Sequence, residues 1–586
     1  VDRFFFLYLN KRFTSKAIFF TLFLFIVLIN LPVLSLSEDL PQSSPYPSER
    51  KSKLPEFLPE TPDEILKPGK YPEKTTQEKL SGTQKIYVKD FVFEGNTVFS
   101  EKELKEICLP YMNKELYIED LDEIRNKLTL HYVEKGYINS GVIIPDQQVS
   151  DGKILFKVIE GRLDTIQVNT SGRLRKGYVL SRLKSPDDKP LNMNDLQEKI
   201  HLLHLDPRVK KLNASLLPGL KPGEAILKAD VEEERPYGGE ISFSNNQSPS
   251  VGSYRGDVSV YHNNLSGLGD VLSLRYSLTE GLDDYYISYE FPHFFVKPTL
   301  RLWYEKSNST VIEFPFEDLD IESETDTLGL YFGYPVYKTP SKELIFSLTG
   351  ELRENKSFLL GTGFNFSEGA EEGESRITVM RFAQDYVARS QNQALALRSS
   401  FNFGIGACDA TINNDGPDGR FFSWLGQFQW ARRLGNIMNN SYNQFIFKTD
   451  LQLATDQLLS MEKFSVGGGS SVRGYRKNLL VRDNGMLSSL EFRAPVWQLK
   501  VPRISTEKSD GVLFLCSFYD LGFSWNSKVS TPDPTYISSA GLGLRWDPTE
   551  NLHTEIYWGY AFRNTDHLDY DIQDDGIHFL LKWNFH

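Results

Sequence analysis

From Pro236 to its C-terminus the chain alternates between apolar and polar side chains. In "LSLRYSLT", Leu272, Leu274, Tyr276 and Leu278 alternate with Ser273, Arg275, Ser277 and Thr279. In "YYISYEF", Tyr285, Ile287, Tyr289 and Phe291 repeat the pattern. The last segment, "IHFLLKWNF", puts Ile577, Phe579, Leu581, Trp583 and Phe585 on one side. Its other side carries His578, Leu580, Lys582 and Asn584. A period of two sends one set of side chains to each face of a strand. About sixteen such segments follow one another, each near the roughly ten residues that cross an outer membrane.

Two architectures use this pattern. A soluble β-sandwich buries the apolar face between two sheets. A transmembrane barrel turns it outward to lipid, where unpaired backbone groups are intolerable and the sheet must close. Three features select the barrel. The segment count is large and even, over a meander of roughly 350 residues. Tyr, Trp and Phe recur near segment ends, as in interfacial girdles. The polar face carries Arg, Glu, Asp and Ser, as a wet lumen does. The expected fold is therefore an antiparallel transmembrane β-barrel of about sixteen strands over residues 236–586.

Export is consistent with the N-terminus. Lys11, Arg12 and Lys16 precede the apolar run Ala17 to Ile29, which Asn30 and Pro32 break. Ser35 to Ser37 supply small residues for cleavage, so residues 1–37 read as a signal peptide. The run is short for an uncleaved anchor. Eight prolines among Ser, Glu and Lys then make residues 38–84 an extended, solvated linker.

Between linker and barrel the texture is mixed α and β. "DFVFEGNTVFS" reads as a strand and turn, and Ser100 with Glu103 as a capping box for the helix "EKELKEICL". Leu121, Ile124, Leu128 and Tyr132 share one face of a second helix that Gly136 ends. Strands "INSGVIIPDQQV" and "KILFKVIEG" follow around Asp151-Gly152. The order repeats: "LDTIQVNT", helices "RKGYVLSRLK" and "LNMNDLQEKIHLLHLD", then "KKLNASLLPG" and "EAILKADVEEE". Leu116, Asp120 and Leu121 correspond to Leu191, Asp195 and Leu196. Two tandem α+β domains are expected, over residues 85–162 and 163–235.

One loop departs from the short turns of a meander. Residues 456–481 join segments eleven and twelve on the outer side, and loops of that length are usually functional or disordered. "GGGSSVRGY" lies within it, and Gly467 to Gly469 permit sharp reversals. A loop folded back into its own barrel would carry Arg473 into the lumen, where it needs an anion. Period-two parity turns Cys516, Phe518, Asp520 and Gly522 inward, with Leu515, Tyr519, Leu521 and Phe523 outward. Parity likewise turns Glu491 inward. Asp520 is the favoured partner of Arg473 and Glu491 the second, since guanidinium can grip carboxylate bidentately. On spacing alone, an ordinary ion pair that stiffens the wall accounts for the same residues.

"SSVRGY" resembles the VRGY/F loop signature of the outer-membrane insertase and secretion superfamily, and "FYDLG" its F-x-D inner-wall motif. "HNNLSGLGD" resembles its early barrel turn, "SSAGLGLRW" a late strand and "RDNGMLSSLEF" the strand-twelve pattern. The α+β units resemble POTRA (polypeptide-transport-associated) domains. Two of them before a sixteen-strand barrel is the layout of two-partner secretion transporters, the TpsB family of haemolysin and adhesin secretion-activation proteins. The resemblance covers residues 85–586. It implies a monomeric outer-membrane pore of a Gram-negative bacterium, inserted into outer-membrane lipid by the barrel assembly machinery, with its POTRA domains in the periplasm. The POTRA domains would recognise an N-terminal secretion segment of a large partner exoprotein, which crosses unfolded and without ATP. It assigns a loop lock to Val472, Arg473, Gly474 and Tyr475, with Phe518 and Asp520 on the inner wall, where parity adds Gly522 and Glu491. Residues 38–84 depart from the family in offering no long amphipathic plug helix. His586 lies one residue past the expected terminal aromatic Phe585, which is expected to alter recognition by the insertion machinery.

Rival functions are weaker. A barrel-assembly factor shares loop and fold but uses a longer POTRA array. A passive channel has no use for the small domains. The formal charge of −13 disfavours a nucleic-acid partner. There is no GxxxxGK[ST], HExxH or G-x-S-x-G, so no enzyme, cofactor or metal is expected. His201 and His204 lack a third ligand and read as helix-face residues. Cys108, Cys408 and Cys516 read as small packing residues.

Overall fold

The computed structural model describes residues 56–58, 66–67, 85–149, 151–184, 189–291, 298–438, 441–565 and 567–585. The signal peptide expected over residues 1–37 lies outside them, as does most of the expected linker. Among the described residues no helix is long and apolar enough to cross a membrane.

Sixteen long antiparallel strands close into a barrel, with the two-residue strand Thr362–Gly363 as an addition beside the seventh. The first, Tyr237–Ser244, pairs with the last, Ile577–Phe585, from Gly239 opposite Phe585 to Ser244 opposite Leu580. Each remaining strand pairs with its sequence neighbour, so the sheet has no free edge. The side-chain distribution is inside out. Leu274 is 41% exposed and Tyr276 37%, while Ser273, Arg275 and Ser277 between and beside them are buried. A soluble sandwich would bury the leucines. Here the exposed apolar band meets lipid, and the buried polar face meets the lumen. On the thirteenth strand, Val512–Trp525, the expected parity holds: Leu515, Tyr519 and Phe523 are exposed, and Cys516, Phe518, Asp520 and Gly522 are buried.

Two α+β units precede the barrel and share one topology. The first runs strand Asp90–Glu94, helices Glu101–Cys108 and Ile118–Glu134, then strands Gly141–Ile143 and Lys153–Ile159. Its last strand is central, parallel to the first and antiparallel to the other. The second runs Arg162–Ser171, Lys176–Leu183, Met193–His204, Val209–Pro218 and Glu224–Glu233, with the same parallel and antiparallel pairings. Corresponding Leu116 and Leu191, and Leu121 and Leu196, are buried in the two cores.

Three local expectations change. The capping box is half formed: the Ser100 hydroxyl accepts from the Glu103 N–H at 3.3 Å, but the Glu103 carboxylate meets His131 at 3.2 Å. "INSGVIIPDQQV" keeps only Gly141–Ile143 as strand. Pro145 has no N–H for a ladder. The Gln147 side chain takes over instead, accepting from Leu155 N–H at 2.7 Å and donating to Leu155 C=O at 2.9 Å. Of the cysteines, Cys108 and Cys516 are buried, whereas Cys408 is exposed in a loop with φ of 52° and is not a packing residue. Loop residues are sorted by backbone path rather than by side-chain size.

The second unit docks on the turn "NNLSGLGD", Asn263 to Asp270, between barrel strands two and three. Arg175 N–H donates to Gly267 C=O at 2.9 Å, Arg173 to Leu265 C=O at 3.0 Å and Arg208 to Asn263 C=O at 3.0 Å. Gly269, at φ +79°, has the Tyr178 ring where a Cβ would lie, so only glycine fits. The Tyr178 hydroxyl donates to Asp206 at 2.5 Å. Burial pushes the Asp206 carboxyl up, but Arg208 and Arg182 outweigh it and hold the group below the usual carboxylate range.

Leu490 sits mid-strand on the lipid face, 40% exposed. Leu490→Arg is expected to destabilise the barrel by about 2–4 kcal/mol, read by urea unfolding in lipid vesicles.

Candidate functional site

Residues 455–483 connect the eleventh strand, Ser441–Ala454, to the twelfth, Asn484–Gln498. The loop is slightly wider than the expected 456–481. It is not slack. Phe464–Val466 pairs with Leu480–Arg482 as a small hairpin, and within the loop only Thr455 and Ser470 are exposed. Phe464, Val466, Val472, Tyr475 and Leu480 pack on Leu425, Leu487 and Ile537 of the wall. The loop therefore folds back into the barrel and fills part of the lumen. Its base is stapled by Asp483, which accepts from Leu458 N–H at 2.9 Å and Ser527 N–H at 2.8 Å. Asn484 accepts from Ala454 N–H at 2.7 Å.

The expected reversal falls on Gly467 and Gly468, at φ +116° and +101°. Gly469 does not adopt positive φ. Beyond this reversal Arg473 projects into a patch set by register. Ser489 lies opposite Asp520, and Glu491 opposite Phe518, on strands twelve and thirteen. Alternation turns all four inward, forming a square of side chains two residues high and two strands wide.

The guanidinium fills that square. Nε donates to Asp520 Oδ2 at 2.8 Å and Nη2 to Oδ1 at 2.9 Å, a bidentate pair. Nη1 donates to Glu491 Oε2 at 2.6 Å. The Arg473 backbone N–H also reaches Asp520, at 3.1 Å. Ser489 accepts from Nη2 at 3.2 Å and donates its hydroxyl to Asp520 at 2.6 Å. The guanidinium carbon lies 3.7 Å from the Phe518 ring centre and 4.7 Å from that of Tyr557, within cation–π reach. Asp520 is fully buried. Two arginines, 473 and 493, face two carboxylates, 491 and 520, so the cluster is neutral.

The other motif residues seat this contact. Gly474, at φ +93°, passes the backbone of strand fifteen so closely that a Cβ would lie 2.7 Å from Gly559 O. Its N–H donates to His578 Nε2 at 3.0 Å. Tyr475 donates to Ser538 C=O at 3.0 Å, and Val472 joins the apolar cluster. Gly522 leaves room for Val466 and Val472, since a Cβ would lie 2.3 Å from Val466.

Several contacts escape sequence reasoning. Tyr557, on strand fifteen, donates to Glu491 at 3.0 Å, and Arg493, two residues along Glu491's own strand, donates to the same carboxylate at 2.5 Å. Arg476 pairs with Asp574 at 2.5 Å and with Glu313, tying the loop to two other outer loops. Glu462 is buried among wall arginines. Its one sequence signal is an acid inside the apolar run "LLSMEKFSV". Among the described residues no group of three or more His, Cys, Asp or Glu is placed to hold a metal. His201 and His204 lie on Met193–His204.

Comparison with known proteins agrees with this geometry. Residues 223–546 match the family described as haemolysin secretion/activation protein ShlB/FhaC/HecB. Residues 86–161 match a ShlB-type POTRA domain. The outer membrane transporter CdiB of Dickeya dadantii is 20% identical over 71% of this chain and 73% of its own. The heme/hemopexin transporter protein HuxB of Haemophilus influenzae is 24% identical over 75% and 77%. The solved structure of CdiB from Escherichia coli shares the fold at a TM-score of 0.66 and 19% identity, covering 88% of this chain and 94% of that one. The inside-out barrel, the loop within it and the family match converge: this chain belongs to the ShlB/FhaC/HecB haemolysin secretion/activation family, two-partner secretion transporters of the outer membrane rather than enzymes.

Proposed function

We propose that this protein exports one large partner exoprotein, of adhesin or haemolysin type, through its barrel. In this reading residues 85–162 and 163–235 are two periplasmic POTRA domains. They bind an N-terminal secretion segment of the partner, which crosses unfolded and without ATP. The chain works as a monomer, inserted into outer-membrane lipid by the barrel assembly machinery. Residues 1–37 direct export of the transporter itself, and residues 38–84 serve as a Pro-rich periplasmic linker.

One observation carries the reading: the lumen holds a folded-back loop whose tip arginine is clamped by Asp520 and Glu491. A passive channel gains nothing from filling its own pore. A transporter needs a seal between substrates and a fixed element against which to pass a chain. Val472, Arg473, Gly474 and Tyr475 act as the lock, with Phe518, Asp520, Gly522 and Glu491 as its seat. The sheet of the first unit supports client capture, because its order leaves Gly141–Ile143 as an edge strand. Backbone pairing of an extended segment along such an edge gives affinity with little demand on sequence. Folding of the partner outside draws export, as an outer membrane supplies no nucleotide.

Arg473→Ala removes the cation from a buried carboxylate, a loss of about 3–5 kcal/mol at the lock. The expected outcome is a folded, inserted barrel whose loop becomes sensitive to protease, with the partner missing from the medium. Arg473→Lys should rescue little, since an ammonium cannot bridge Asp520 and Glu491 bidentately. Normal secretion at equal surface abundance would remove the loop from the mechanism. Deleting residues 85–235 should abolish secretion while leaving ion conductance; unchanged secretion would return the protein to the channel class.

A further inference from the structure

The two α+β units differ at one edge of their sheets. In the first, the order is Asp90–Glu94, Lys153–Ile159, Gly141–Ile143, and among the described residues no strand pairs beyond Gly141–Ile143. In the second, the equivalent edge is Val209–Pro218, and it is covered. Leu66–Lys67, from the Pro-rich segment ahead of the first unit, lies along it in parallel, with Leu66 opposite Ala214 and Lys67 opposite Ser215. Pro68 follows directly in the sequence. It biases Lys67 toward extended backbone and has no N–H with which to lengthen the ladder.

The covered edge admits a strand only in its middle. Lys210 and Lys211 are exposed at one end, and Pro218 at the other. Lysine and proline are residues that blunt a sheet edge against pairing. Leu212 to Leu217 contains neither, and Leu212, Ala214 and Leu216 pack on the core of the unit. Leu66–Lys67 fills two positions of that window.

The same segment is held at a second place. Eight residues earlier in the sequence, Leu58 N–H donates to Ser390 C=O at 3.1 Å. The Phe57 ring centre lies 4.2 Å from the guanidinium carbon of Arg433, whose Nη1 donates to Gln391 C=O at 3.1 Å. Ser390 and Gln391 belong to the turn after strand eight (Glu374–Arg389), and Arg433 lies near the end of strand ten (Phe422–Met438). This place shares a rim with the turn after strand two, on which the second unit docks, and is six to eight strands round from it in a barrel of sixteen. The segment therefore joins the far side of one barrel mouth to the sheet edge of the unit docked on the near side.

We propose that Leu66–Lys67 is a placeholder in cis: it covers the strand-binding edge of the second unit until an extended stretch of the exported polypeptide takes its place. The exchange needs only backbone N–H and C=O groups. An incoming strand that pairs along Leu212 to Leu217 gains more ladder than the two residues it displaces. Covering the edge also withholds it from pairing with another copy of the chain. The proposal rests on the transport reading for the identity of the incoming chain. Its test uses no exported partner, so the two readings fail separately.

The purified full-length protein in detergent micelles is illuminated with a synthetic peptide of alternating Thr and Val, flanked by lysines and carrying a benzophenone. Mass spectrometry then measures adducts on residues 209–218 relative to those on residues 141–143. Replacing residues 66 and 67 by proline (L66P/K67P) removes two N–H groups and should raise this ratio roughly tenfold. A disulfide between Leu66→Cys and Ala214→Cys, at facing positions, should hold it at background until reductant restores the level of the unchanged protein. Equal ratios in the unchanged protein and L66P/K67P overturn the proposal, as does labelling that the oxidised disulfide does not suppress. If the disulfide does not form, the proline variant decides alone: a rise supports the proposal, and no rise or a fall overturns it.

Discussion

Lipid offers no hydrogen bonds, so each backbone N–H and C=O at membrane depth must find a partner within the protein. Most of this structure follows from that constraint. The first strand pairs with the sixteenth because an open sheet would leave two unpaired edges in hydrocarbon. Closure turns the apolar side chains outward and gathers Arg275, Asp284, Glu351, Arg353 and Arg381 inside. Such an interior is either a water-filled channel or a cavity to be filled by charge-matched protein. Here the loop between strands eleven and twelve supplies that protein.

The loop is fastened by ion clusters of alternating polarity rather than by apolar packing alone. Arg473 meets two wall carboxylates, Glu462 meets two wall guanidiniums, and Arg476 meets acids of neighbouring outer loops. Each cluster is close to neutral, which limits the cost of burying its charges. Charged contacts of this kind are directional and local. They hold a segment firmly in one geometry. A purely apolar plug would slide more gradually and specify position less sharply.

Much of the architecture was legible in the sequence because it is governed by local periodicity. The parity of "VLFLCSFYDLGFSW" placed Phe518 and Asp520 inward, and the same reasoning placed Glu491 beside them. The Leu116/Leu191 and Leu121/Leu196 correspondence reflects two units of one topology. What was misread had a non-local cause. Glu103 was drawn away from its cap by His131, on another helix. The strand through Pro145 was cut short, with Gln147 taking the place of a ladder. That the folded-back loop forms a buried hairpin was not legible either, because it depends on the apolar seat that Phe464, Val466 and Leu480 find on the wall.

By itself the amino-acid sequence determined the closed inside-out sheet, the inward or outward direction of each side chain and the presence of one long loop carrying a cation. These depend on a two-residue period and on chain length, both of which are local. Only the tertiary structure decided which inward acids Arg473 meets, that Ser489 and Tyr557 complete its seat, and that Glu462 is held by Arg353 and Arg381. Those pairings depend on the register of sixteen strands and on the curvature that brings distant strands around one lumen. A one-residue slip in register would leave every local preference almost unchanged while reversing which faces meet.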